Sequence, residues 1–509
     1  MNNTIDNKKI ARNTFFLYIR MFFILALNLY MSRAILAILG EIDFGIYNVV
    51  GGFVAMFGIF SNSMTAATQR FLSFEIGKNE QGNVESVFST AVLIHLFFAI
   101  LILVFAESVG LWFVENKLNY PSSRQQAVFW VYQLSVLTFI IGVLSVPYNA
   151  ALVAFEKMKA FAYVGIIEVL LKFIVVIMLA YACYDQLILY ALFLAIIAIV
   201  IRVIYGIYVK ISIPNCKCNF KMDKIIRNNM IAFAGWNSFG SISNMLNNQG
   251  VNVLLNMFFG AAINAARGIS FQVMNALQLF VANFQLAMSP QIIKSFASGN
   301  KDDAFKLAFR GSRFSFLLLM LFAIPTILEA PYILQIWLVK VPNLTVDFLR
   351  IILITALVNT LGQTLSYLMQ ASGIVKNYQI VVGTSYMLAV PVIYVVLKLG
   401  GNPLIAMLIV LLFSQISQFC QLIMLKRSIG LPIGVYMRTV FLKSWMLFLL
   451  SILIPLIVFL NLGQSLFSFS IVSFVSLLSS SLVIFYGGLH KDERKYLIIY
   501  LFKLKNRIK

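Results

Sequence analysis

The sequence predicts an all-α polytopic membrane protein of about fourteen transmembrane helices. They form two six-helix lobes related by a pseudo-two-fold axis along the membrane normal, plus two extra C-terminal helices. The 509 residues are 61% hydrophobic and only 11% charged, outside the range of soluble globular chains. Apolar runs recur at about 20 residues, the length a helix needs to cross about 30 Å of hydrocarbon. One stretch is also written twice. Gln69-Arg70-Phe71-Leu72-Ser73-Phe74-Glu75-Ile76-Gly77 returns about 222 residues later as Gln291-Ile292-Ile293-Lys294-Ser295-Phe296-Ala297-Ser298-Gly299, with the Gln, Ser, Phe and Gly in register.

The first six spans are expected at 13–39, 44–74, 86–113, 127–155, 160–183 and 187–208. The next six fall at 230–259, 263–290, 305–328, 348–371, 378–397 and 403–425, and the last two at 440–460 and 467–489. The first two are separated at Gly40-Glu41-Ile42-Asp43, a turn-forming run inside an otherwise unbroken apolar stretch. With the N-terminus in the cytosol, roughly 28 of the 39 lysines and arginines lie on the cytosolic side, and a shift of one span would reverse the bias over half the chain. The same rule accounts for most of the net charge of +21, so no nucleic-acid partner is implied.

An even number of crossings separates the two nonapeptides, which makes the repeat parallel and suggests a transporter. Fainter echoes agree: 154–159 enters span 5 as 371–376 enters span 11, and Gly40 follows span 1 as Gly260 follows span 7. The domain reading is an N-lobe over 1–212, a cytosolic linker over 213–228, a C-lobe over 229–427 and extra helices over 428–490. Residues 491–509 form a basic amphipathic tail on the inner leaflet. Four cysteines show no disulfide pattern, and Cys216-Lys217-Cys218 lacks the further ligands of a zinc site.

A charge inside a span costs about 2.5–3.5 kcal/mol on insertion scales, so each calls for a reason. Arg20 lies two turns into span 1, either lining a cavity or snorkelling inward. Arg33, about 140° round the same helix, is an interfacial anchor or a lumen residue. Arg70 closes span 2 and Arg267 opens span 8, each an anchor or a cavity cation. Glu168 and Lys172 share a face of span 5. They make a self-neutralised pair or a carboxylate poised for ion coupling. His95 is either a core histidine or a proton relay. The strongest polar signal is a row on span 7, Asn237, Ser241, Asn244, Asn248 and Asn252, with Gln272 and Asn275 on span 8. Helix glue needs one or two such residues, whereas a full stripe points to a water-filled cavity. Amides and cations with few carboxylates suit a sugar-like anion.

Asp43-Phe44-Gly45-Ile46-Tyr47-Asn48-Val49-Val50-Gly51-Gly52, followed by Thr68-Gln69-Arg70-Phe71-Leu72-Ser73, resembles the bacterial polysaccharide flippases. These are the Wzx-like O-antigen and exopolysaccharide transporters of the multidrug/oligosaccharidyl-lipid/polysaccharide (MOP) exporter superfamily, with a MATE-like fold. The resemblance implies movement of an undecaprenyl-pyrophosphate-linked oligosaccharide from the cytosolic to the periplasmic leaflet by alternating access between lobes, with H+ or Na+ as the coupling ion. It implies a bacterial inner-membrane location with both termini cytosolic, no cofactor, and partners among membrane lipid and the polymerase or glycosyltransferases of the same pathway. Arg20 and Arg267 match the family's cavity cations only at the level of the helix. Two alternatives remain: a multidrug or organic-cation antiporter of the same superfamily, which requires acidic cavity residues, and a membrane polysaccharide polymerase or glycosyltransferase. An enzyme requires an acid–base or metal constellation that this chain does not display.

Overall fold

A computed structural model describes residues 7–55, 57–78, 83–117, 121–219, 221–338, 341–489 and 493–494, apart from some side chains within helices. Every regular element among them is helical. The first half comprises α1 (Asn7–Ala55), α2 (Gly58–Gly77), α3 (Val84–Phe105), α4 (Leu111–Lys117), α5 (Gln125–Ala154), α6 (Met158–Leu179) and α7 (Gln186–Ser212). The second half opens with α8 (Lys224–Phe259), α9 (Ala261–Ala297), α10 (Lys301–Leu328), α11 (Ala330–Trp337) and α12 (Thr345–Ser372). It continues with α13 (Val375–Met387), α14 (Ala389–Lys398), α15 (Pro403–Ile429), α16 (Ile433–Tyr436), α17 (Leu442–Asn461) and α18 (Leu466–Val483).

Ten helices among the described residues are long and apolar enough to cross a membrane, and they coincide with expected spans 3–6 and 9–14. Spans 7 and 8 are α8 and α9, which are long enough but too polar for that criterion. Spans 1 and 2 are α1 and α2. Gly40 divides α1 with φ 73° and ψ 173°, a conformation that only glycine adopts without cost, so the turn expected there is a break between two helices running on from each other. Span 2 comprises the last part of α1 and the whole of α2, with Met56 between them outside the described residues. Pro391 interrupts span 11 at Leu388, because its ring clashes with the carbonyl a turn earlier.

The backbone repeats what the sequence repeats. Gly40 and Gly260 both have positive φ, and so do Glu156 and Gly373 at matched places in the 154–159 and 371–376 segments. Glu156 is not glycine, so a specific interaction must hold it there.

Packing divides the chain into two compact units, 1–241 with 289–303, and 242–288 with 304–509. The division runs through α8 and α9 and therefore differs from a partition by sequence repeat. In the first unit the linker is fastened to α3: Ser89 Oγ donates to the Lys217 carbonyl at 3.0 Å and accepts from the Asn219 amide at 3.0 Å, and the Asp223 amide donates to Thr90 Oγ1 at 3.1 Å. Burial pushes the Cys216 thiol in this linker up to about 12, which keeps it protonated and a poor metal ligand. In the second unit Glu493 takes Arg313 at 2.9 Å and Arg310 at 3.3 Å. Apart from Glu493 and Arg494, the amphipathic tail lies outside the described residues.

Candidate functional site

In the first unit, Arg20 of α1 packs against α6. Its guanidinium stands 4.4 Å over the Phe161 ring, and a Cβ on Gly165 would come within 2.3 Å of its Nε. Only glycine leaves that notch, so the Arg20 position is cut into α6. One turn on, Lys172 Nζ meets Glu168 Oε1 at 2.6 Å, with both side chains 36% exposed. The exposed apolar strip of α6 runs through Tyr163, Ile167, Leu170, Ile174 and Ile177. Glu168 and Lys172 lie roughly 120–160° round from it, on the face shared by Phe161 and Gly165. Their exposure therefore reports open space on the side turned away from that apolar strip. Arg33 is on α1, but its side chain lies outside the described residues.

Arg70 is enclosed rather than open. Only 7% exposed, it sits over the rings of Phe71 at 4.5 Å, Phe74 at 4.7 Å and Phe233 at 5.5 Å, a cation–π cage at the inner end of α2. His95 is 1% exposed, and its Nδ1 bonds the Ala91 carbonyl at 2.7 Å within its own helix. Its Nε2 is buried without a partner among the described residues.

The repeated nonapeptides meet inside this unit. A Cβ on Gly77 would stand 2.6 Å from the Lys294 carbonyl oxygen and 2.7 Å from the Ala297 side chain, so the glycine permits close contact between the inner ends of α2 and α9. Gln69 Nε2 donates to Ser289 Oγ at 3.4 Å, and Glu156 accepts from Gln291 and pairs with Lys294 Nζ at 2.6 Å. That buried carboxylate explains why a non-glycine residue holds φ 58°. At the outer end, Arg124 Nε donates to Asp43 Oδ1 at 2.9 Å and its Nη1 donates to Asp185 Oδ2 at 2.6 Å. Asp185 also caps α7. This clasp gives Asp43 of the resemblance motif a structural role.

In the second unit the amides gather on one cation. Arg267 is 4% exposed and 4.4 Å over the Phe271 ring. It donates to Asn252 Oδ1 and, at 3.4 Å, to Asn248 Oδ1. Asn248 Nδ2 donates to Asn244 Oδ1 at 2.8 Å, and Asn252 Nδ2 donates to Gln249 Oε1 at 3.1 Å. The Arg267 Nε is buried without a partner among the described residues, and no carboxylate there lies within ion-pair distance of it. Gln272 and Asn275 are exposed on α9, on a face that also carries Gly268, Ala276, Leu279 and Ala282. The row on α8 is divided: Asn237, 6% exposed, belongs with Ser241 to the first unit, and Asn244, Asn248 and Asn252 belong to the second.

Sequence reasoning missed a second amide group, on α12 and α15. Asn359 Oδ1 accepts from Ser414 Oγ at 2.6 Å and from Tyr386 OH at 3.2 Å, and Gln421 Nε2 donates to the Gly362 carbonyl at 2.9 Å. The signal was available: Asn359, Gln363, Ser366 and Gln370 follow the same 3–4 spacing as the α8 row.

Residues 238–395 match the MatE family model. No curated protein sequence matches the chain. Among solved structures, the chain is similar to an outward-facing multidrug-resistance MATE transporter of the MOP superfamily at 11% identity and TM-score 0.71, over 82% of this chain and 94% of that one. It is similar to a MOP-superfamily transporter from Pyrococcus furiosus, described by the reversed polarity of its binding pocket, at 10% identity and TM-score 0.70, over 84% and 96%. A MATE protein in a bent conformation aligns at 11% identity and TM-score 0.70, over 85% and 96%. The chain is thus a multi-pass, all-helical protein with the fold of the MATE transporters of the MOP superfamily.

Proposed function

We propose that the protein is a MOP-superfamily transporter, not an enzyme, that moves an undecaprenyl-pyrophosphate-linked oligosaccharide from the cytosolic to the periplasmic leaflet of the bacterial inner membrane by alternating access. The observation that carries this reading is Arg267: a buried guanidinium held by the neutral carbonyls of Asn248 and Asn252 and paired with no carboxylate among the described residues. A buried cation without a counter-charge is costly, and an anionic ligand removes that cost. Pyrophosphate supplies the charge, and the surrounding amides suit sugar hydroxyls. The glycan cannot cross hydrocarbon unaided, while the prenyl tail never has to leave it. Glu168 with Lys172 is the candidate for coupling to H+ or Na+, and Arg20 beside them is the second cation toward the substrate.

Likeness to a multidrug-resistance transporter favours a second reading, export of organic cations. That ligand needs an unpaired carboxylate in the site, whereas Glu168 is neutralised by Lys172 at 2.6 Å. The two readings separate in a strain that depends on this protein for its surface glycan. Arg267→Gln is expected to abolish surface polymer at unchanged protein level and to leave drug susceptibility alone. Full surface polymer in the variant, with drug resistance conferred by the wild type, would refute the glycan reading.

A further inference from the structure

Among the ten described helices long and apolar enough to cross a membrane, only α10 and α12 expose no large hydrophobic residue. The exposed side chains of α10 are Lys301, Asp302 and Lys306 in its first two turns, whereas those of α12 are Asn359 and Gln363 at mid-helix. A helix in lipid shows apolar side chains to the acyl tails, so the open face of α12 meets water. α15 confirms the direction. Its exposed apolar strip is Ile405, Leu408, Leu412, Ile416, Phe419 and Ile423, and on the opposite side of the same helix lie Ser414, Ser417, Gln418 and Gln421.

Three of these elements meet at their midpoints. Asn359 is halfway along α12, Ser414 is near the middle of α15, and Tyr386 lies at mid-span just before the break at Leu388. Tyr386 and Ser414 both donate to Asn359 Oδ1, which occupies its two lone pairs. The two Asn359 Nδ2 hydrogens have no protein acceptor among the described residues and stay available on an exposed side chain. A turn inward, Gln363 is exposed and bonded to Tyr367, and Gln418, 6% exposed, has a buried Nε2 with no partner among the described residues. Amide donors and phenol rings around an open face, with no charge among them, suit a neutral polyol: amides bond vicinal hydroxyls, and rings cover the apolar faces of sugar rings.

We propose that the amide–tyrosine face centred on Asn359, with Gln363, Tyr386, Ser414 and Gln418, is a carbohydrate subsite that receives the uncharged sugar residues of the substrate. This rests on the lipid-linked-glycan reading and deepens it. Charge recognition belongs to Arg267, and sugar recognition belongs to α12, α13 and α15.

The test uses the full-length protein in lipid nanodiscs and two probes: bare undecaprenyl pyrophosphate, and the lipid-linked oligosaccharide that accumulates when the gene is deleted. The wild type is expected to bind the glycosylated probe at least about tenfold more tightly than the bare one. Gln363→Ala and Asn359→Leu should each reduce that advantage, to within about twofold when combined, while leaving affinity for the bare probe within about twofold. Arg267→Gln should weaken both probes alike. Gln363 is exposed and its side chain bonds Tyr367, so Gln363→Ala is read in a Tyr367→Phe background, which keeps the test valid if Asn359→Leu folds poorly. Equal wild-type affinity for the two probes overturns the subsite alone, as do variants that keep the full glycan advantage or lose both probes together. Failure to accumulate any lipid-linked glycan, or to bind either probe, overturns the transport reading and the subsite with it.

Discussion

Arg20 and Arg267 are the same side chain in nearly the same local setting with different electrical surroundings. Each guanidinium stands 4.4 Å over a phenylalanine ring, and each has a buried Nε without a partner among the described residues. Arg20 has Glu168 among its electrostatic neighbours, a carboxylate already bonded to Lys172. Arg267 has, among the described residues, only neutral amides as hydrogen-bond acceptors. Such a carboxylate lowers the cost of a buried cation and equally lowers its attraction for an anion, so the two positions are stable for different reasons. The first unit holds a cation that is locally compensated, and the second holds one that, on the proposed reading, a ligand completes.

That contrast can be broken by mutation. Arg267→Gln is expected to lower glycan transport by about 100-fold, since a desolvated charge contact to phosphate is lost. Asn248→Asp supplies the missing counter-charge without touching the arginine and should lower transport by about tenfold or more; unchanged transport would mean that Arg267 takes no anion. Arg20→Gln should cost less, about tenfold, with Gly165→Ala reproducing part of the loss by displacing the guanidinium from its notch. Wild-type transport in Gly165→Ala would show that the placement of Arg20 is immaterial. Arg124→Ala is the control for the outer clasp: a melting temperature lowered by a few degrees and transport per folded molecule retained. The smallest effect is a labelling pattern. A membrane-impermeant maleimide added to spheroplasts should mark exposed Cys183 and spare both Cys218 on the opposite side and buried, protonated Cys216. Labelling of Cys218 but not Cys183 would invert the orientation.

Helices, breaks and repeats were legible because they are written locally. Hydropathy placed the ten helices that are long and apolar enough to cross a membrane, and Gly40 and Gly260 marked breaks that the backbone takes. The Asn row on α8 was legible from spacing alone, although its grouping on Arg267 was not. Arg70 shows the limit: from the sequence it is a cation at a span end, and only the fold brings Phe233 from α8 to close its cage. The Arg124 clasp joins residues 81 and 61 positions apart, and no local pattern connects them. The α12 face went unread because Leu and Ile between its amides keep the mean hydropathy high enough to pass as an ordinary span.

The most direct measurement is the exposure of lipid-linked glycan to an impermeant lectin in spheroplasts carrying wild-type protein, Arg267→Gln or none. Lectin binding should be high in the wild type and near the level of the deletion in Arg267→Gln, with the glycan retained on the inner face. Equal binding in wild type and variant would contradict the claim that an uncompensated arginine in the second unit receives the substrate's charge.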